Sequence, residues 1–156
     1  MNIPKSMKKE LAQWNNGAGI DLDGWVNCIG NYSLAIGYIT VFWPDFVEHN
    51  GYILRKDFSE DSLHSFEKQQ GSTRKSVEWV MNHLHIADIH GGDVDGLSID
   101  KIVIIGQTLK AIYETKLARQ FPHSPCIVEF YEPETESDLA GYQISFWQVR
   151  HDQVGE

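Results

Sequence analysis

Apolar residues recur along this chain at distinct spacings, and each spacing predicts a different element. Val77, Val80, Met81 and Leu84 follow the three-and-four spacing of a helix with one buried face, as do Met7, Leu11 and Trp14 within a helix over 5–14. Ile102, Ile105, Leu109, Ile112 and Leu117 nearly hold one helical phase, which predicts a long helix from an N-cap at Ser98 to about Gln120. Ile102-Val103-Ile104-Ile105 alone would also suit a buried parallel strand, but the phase carries through Gly106 to Leu109 and favours the helix. Ser59, followed by Glu60 and Asp61, can cap a further helix through Gln69 that Gly71 closes. Ser72 or Ser76 then opens the helix bearing Val77, which ends before Gly91 and Gly92.

Period two marks the strands. Tyr142, Ile144 and Phe146 alternate with Gln143, Ser145 and Trp147, and this run pairs antiparallel with Cys126 to Tyr131 across an acidic loop from Glu132 to Gly141. Phe46 to Arg55 reads as a hairpin about Asn50-Gly51, with Pro44 ahead of the first strand. Tyr32 to Phe42, aromatic and β-branched, favours strand over a buried helix, while glycine-punctuated 17–30 predicts loop with at most a short helical turn around Trp25 to Ile29. Together these elements predict an α+β fold: about three main helices packed on an antiparallel sheet built from the central hairpin and the C-terminal strand pair. No repeat, low-complexity segment or linker divides the chain, so residues 1–156 read as a single domain.

Charge narrows the partner classes. Acidic residues number 22 against 13 Lys plus Arg, a formal net charge of −9 that repels phosphate backbones and anionic membrane surfaces. Nucleic acid and membrane are therefore not expected partners. The most apolar stretch, Ile36 to Trp43, is far shorter than the roughly 20 residues that cross a bilayer, and no signal-peptide core follows the first lysines. Two cysteines, Cys28 and Cys126, are too few for a disulfide framework and read as reduced, mostly buried thiols in a cytoplasmic protein.

Catalytic and cofactor motifs are sparse. No phosphate loop or complete dinucleotide fingerprint occurs, and no cofactor is implied. Asp21-Leu22-Asp23-Gly24 and Asp93-Val94-Asp95-Gly96 resemble the middle of a calcium loop but lack both end ligands. His83, His85, Asp88 and His90, with Asp93 and Asp95 beyond, form the densest group of metal-ligating side chains. On a helix His83 and His85 stand about 200° apart, and only His85 and Asp88 share a face. A metal-dependent hydrolase built on His83, His85, Asp88 and His90 is thus the alternative function, with His85, Asp88 and His90 as its ligands.

The preferred expectation is a non-enzymatic, acidic protein-binding domain, for example an inhibitor or an immunity-type antidote of a basic protein, because charge is the one global feature that separates partner classes. Its expected contacts are Trp43 and Tyr52 as anchors, beside the carboxylates of Asp45, Glu48, Glu134 and Glu136.

Overall fold

The computed structural model describes residues 3–91 and 96–152. Among them the architecture is α+β, as the spacing predicts, with more helix than the period of the apolar residues reveals. After a 3-10 turn at Lys5–Met7 come α1 (Lys8–Gln13), α2 (Leu22–Ile29) and α3 (Tyr32–Phe42). The hairpin of β1 (Phe46–His49) and β2 (Tyr52–Arg55) is next, then α4 (Glu60–Glu67) and α5 (Arg74–Met81). The chain continues through the two-residue β3 (Leu84–His85), a 3-10 turn at Ile86–His90 and the long α6 (Ile99–Gln120). It ends in β4 (Cys126–Tyr131), β5 (Gln143–Gln148) and a last turn, α7 (Val149–Asp152).

Three expectations are corrected. Residues 32–42 form a helix, not a strand, because Asn31 caps it: its side-chain oxygen accepts from Leu34 N at 2.8 Å and satisfies an orphan donor of the first turn. Most of the expected loop over 17–30 is likewise α2, capped by Asp21, whose carboxylate accepts from Gly24 N at 2.8 Å. The helix bearing Val77 is opened by Thr73, in a reciprocal capping box with Ser76, and ends at Met81 instead of running toward Gly91. Beyond it the chain forms β3 and a 3-10 turn, so His83 and His85 do not lie on a helix.

The long helix 99–120 stands as expected, and Gly106 explains why its pattern passes through a glycine. A Cβ at Gly106 would lie 2.1 Å from the Phe130 ring of β4, so glycine lets α6 lie close on the sheet. Its inner face joins Ile102, Leu109, Tyr113 and Leu117 to Ile144 and Phe146 of β5 in the main core. A second core, Tyr52, Leu54, Leu63 and Val77, fills the space between the hairpin, α4 and α5. Strand β5 is therefore covered on both faces. Ser145, on the side away from α6, donates its hydroxyl to Trp79 O of α5 at 2.6 Å.

The sheet order is β3-β5-β4, all antiparallel, and the β1-β2 hairpin forms a sheet of its own. The Asn50-Gly51 turn, with φ of 52° and 81°, makes His49 and Tyr52 the closing pair. That register turns the backbone groups of Ile53 and Arg55 outward, toward β5. On β5 the bond from Val149 N to Pro125 O at 2.9 Å fixes the phase that turns Phe146 and Gln148 away from β4. Among the described residues no backbone hydrogen bond joins these two facing edges.

Side chains of α5 and the residue just beyond it join them instead. Asn82 donates to Ile53 O (2.9 Å) and Phe146 O (3.2 Å) and accepts from Arg55 N (3.2 Å). One turn earlier, the fully buried Glu78 accepts from Ile53 N and Gln148 N, both at 2.8 Å, with His151 Nδ1 also at 2.8 Å. At the other end of the molecule the N-terminal segment is fastened to α6, where Asp100 accepts from Ser6 N (2.9 Å) and from the Ser98 hydroxyl (2.6 Å). The Ser98 hydroxyl and then the Ser6 amide hold the Asp100 carboxyl well below the usual carboxylate range.

Both sets of contacts can be tested by substitution. Replacing Asn82 by Ala strips the partner from two carbonyls and one amide in the core and should cost about 3 kcal/mol or more. Urea unfolding measures it, and a loss under about 1 kcal/mol would mean that the facing edges do not depend on Asn82. For Asp100, whose pKa is lowered on folding, the contribution is full above the unfolded value of 3.8 and is lost as pH falls through the folded one. Asp100→Asn should therefore lower the melting temperature at neutral pH, with the difference from wild type shrinking below about pH 4. A constant difference across that range would contradict the assignment.

Candidate functional site

Helices α2 and α3 stand outside both cores. No residue of either is buried, and every residue from Asn31 to Thr40 is exposed. Their composition is nonetheless apolar: between Asp23 and Asp45 the chain has no charged side chain. Tyr32 is 93% exposed, Ile36 67%, Val26 57% and Ile39 54%, with Ile29, Leu34 and Trp43 close to half. Scattered surface leucines are ordinary, but two successive helices that expose this many large apolar side chains are the kind of surface that marks an interaction site.

The C-terminal end of α3 is held by α6. Tyr113 donates its hydroxyl to Val41 O at 3.0 Å, and the Lys116 ammonium, almost fully buried, donates to Trp43 O at 3.2 Å and to Pro44 O. The same ammonium lies 5.0 Å from the Trp43 ring centroid and 3.7 Å from the Asp45 carboxylate. A cation near a helix C-terminus offsets the negative pole of its dipole, which fixes where the chain leaves α3. Beside it a cleft of about 390 Å³ is lined by Ile39, Trp43 and Asp45 with Arg55, Lys56 and Asp57.

The expected binding residues fall in separate places. Trp43 and Asp45 are both exposed on this cleft, and Glu48 is exposed on β1. Tyr52 is 4% exposed, packed in the second core under the Arg74 guanidinium at 4.6 Å, so the structure gives it a packing role in place of the expected surface anchor. Glu134 and Glu136 are exposed in the β4–β5 loop, apart from the cleft that carries Trp43. With Glu132 and Asp138, Glu136 acts on Tyr142, where burial first and these carboxylates next push the phenol pKa up.

The ligands of the alternative hydrolase are not brought together. His83 donates Nδ1 to Val80 O, His85 donates Nδ1 to Ala140 O at 2.8 Å, and His90 Nε2 lies 2.6 Å from the Tyr38 hydroxyl. Among the described residues no group of three or more His, Cys, Asp or Glu converges as a metal site. Asp93 and Asp95 lie outside the described residues, as does most of the second calcium-like run. Asp21 of the first run serves as the α2 cap.

The cysteines divide differently from the expectation that both are mostly buried: both are free, Cys126 half-buried and Cys28 exposed on α2. Burial, with the Glu78 charge second, pushes the Cys126 thiol up to about 12. Comparison of this chain with protein-family models, with curated proteins and with solved structures gave no match.

A thiolate is the reactive form, so the two cysteines should separate cleanly with iodoacetamide on the folded protein near pH 8. Cys28 is expected to be alkylated and Cys126 spared until denaturant is added, as peptide mass mapping would show. Equal labelling of both in the native state would contradict the burial of Cys126.

Proposed function

We propose that this chain is a non-enzymatic protein-binding domain whose contact surface is the α2–α3 pair and whose partner is a basic protein. The observation that carries this reading is α3 itself, largely apolar and exposed from Tyr32 to Thr40. A helix of that composition is normally enclosed, so its working state is one in which another surface covers it.

Charge selects what covers it. Two copies of a chain carrying −9 repel one another, and anionic lipid repels each copy. Exposed carboxylates border the uncharged surface at both ends: Asp21 and Asp23 at the start of α2 and, beside Trp43, Asp45, which pairs with Lys56 and Lys116 of this chain, and Asp57, which pairs with Arg55. They suit a partner with an apolar groove rimmed by Lys and Arg. Inhibition or neutralisation of such a partner is the biological form that fits, since covering a groove requires no chemistry from this chain. The hydrolase alternative has no comparable support, because its ligands point to separate partners.

The test is affinity capture from the native cell, followed by surface plasmon resonance on the protein recovered. That protein should be basic, and its association rate should fall steeply with salt while dissociation changes little. Ile36→Asp combined with Ile39→Asp, both at exposed positions, should leave the fold intact and weaken binding by at least about 30-fold. An acidic partner, a salt-independent association rate or unaltered binding by the double variant would end the reading. Stable self-association of the isolated chain, or its partition onto neutral phosphatidylcholine vesicles, would replace the partner with a second copy or a lipid surface.

A further inference from the structure

A second cavity, of about 420 Å³, opens between the N-terminal segment, α2, α3, the 3-10 turn at Ile86–His90 and α6. Its size falls within the roughly 300–1,000 Å³ of small-ligand pockets. Trp25, Tyr38, Ile86, Leu97, Ile104 and Ile105 supply a mainly apolar wall. Polar groups on that wall are few. Glu10 is engaged by the Trp25 indole, which donates to its carboxylate at 3.1 Å, and the Tyr38 hydroxyl and His90 Nε2 face one another at 2.6 Å.

Lys101 is the exception. It lines the cavity half-buried, and its ammonium donates to Gly96 O at 2.6 Å, yet among the described residues no carboxylate pairs with it. Glu10, the one carboxylate among the described lining residues, is held by Trp25, so the Lys101 ammonium, with no ion pair among the described residues, can gain from an anion that brings its own apolar body. An ammonium has three donors, and Gly96 O takes one of them.

We propose that this cavity is a binding site for a small apolar monocarboxylate, a molecule with one hydrocarbon or aromatic body and one carboxylate, which seats the carboxylate on Lys101 and the body against Trp25, Ile104 and Ile105. Among the described lining residues no second lysine or arginine is present to hold a dianion. The Tyr38–His90 pair sits on the same wall and can donate one further hydrogen bond to the carboxylate. The cavity shares Val26 and Tyr38 with the α2–α3 surface, but Ile36 and Ile39 do not line it, so substitutions at those two positions separate this site from the partner reading above.

Decanoate, kept below its micelle concentration, is the probe, with decanol as the uncharged match and acetate as the head alone; Trp fluorescence and calorimetry on the full chain read the binding. The expected result is saturable one-to-one binding of decanoate, about tenfold or more tighter than decanol, and none by acetate. Lys101→Met keeps most of the length of the stem and should weaken decanoate about tenfold while leaving decanol unchanged. Ala87→Phe, at another lining position, should abolish binding of both, with a thermal melt confirming that the variant folds. Ile36→Asp with Ile39→Asp should leave decanoate binding intact. No binding, equal affinity for decanoate and decanol, or a Lys101→Met variant that binds decanoate as wild type would overturn the proposal. Loss of decanoate binding in the Ile36→Asp, Ile39→Asp variant would place the probe on the outer face of α3 and overturn it as well.

Discussion

The fold depends on how two strand edges that do not meet are joined. Backbone groups turned outward on β2 and β5 would be costly if left bare in the core, since each buried, unpaired peptide group costs about 1–3 kcal/mol. The usual solution is a ladder, and this chain uses a helix in its place. Glu78 and Asn82 stand one turn apart, on α5 and at its C-cap, spaced so that both side chains emerge on one face. Asn82 carries a donor and an acceptor on one amide, as a peptide unit does, and so can satisfy Ile53 O, Phe146 O and Arg55 N together. Glu78 is acceptor-only when ionised, and the backbone groups it meets are donors, Ile53 N and Gln148 N.

That join organises the rest of the framework. Just after Asn82 the backbone itself takes over, as Leu84 and His85 pair with Ile144 and Gln143 of β5. Side chain and strand thus continue one line of hydrogen bonds along the same edge of β5. The hairpin tip is held by the same neighbourhood, with Gly51 O accepting from Gln148 Nε2 (2.9 Å) and Arg150 (2.8 Å), and Asn50 O from Arg74 (3.1 Å). A hairpin alone is marginal in water, and this one is stable because α5 and β5 receive its outward groups. Helices α2 and α3 take no part in this network and meet the core chiefly through Val41 and Phe42 at the end of α3.

Legible in the sequence is whatever local pattern and burial agree upon. The phase from Ile102 to Leu117 marks α6, Asn50-Gly51 marks the hairpin, and the alternation from Tyr142 to Trp147 marks β5, because each of these is packed and periodic. Residues 32–42 mislead for the converse reason. With no buried face, α3 has no periodic signal, and its β-branched and aromatic composition points to strand, while the Asn31 cap that decides the matter is a single residue. The role of Glu78 and Asn82 is invisible in the sequence, since two polar residues at helical spacing look like a solvated face until the strands they serve are placed. Composition alone makes Tyr52 an anchor, because it cannot distinguish an aromatic ring under Arg74 from one in water.

The exposed helices give the charge, on the proposed reading, a second role beside solubility. An uncharged apolar pair on the surface of a neutral domain would tend to associate with itself. Here each molecule brings −9 to any such encounter, with Asp21, Asp23, Asp45 and Asp57 set beside the apolar residues that would touch. Repulsion between like copies and attraction toward a basic surface are one field acting with opposite signs, so on the proposed reading the same carboxylates would disfavour self-association and favour a basic partner. The buried Lys116 ammonium under Trp43, paired with Asp45, fixes the end of α3 on which the proposed surface stands.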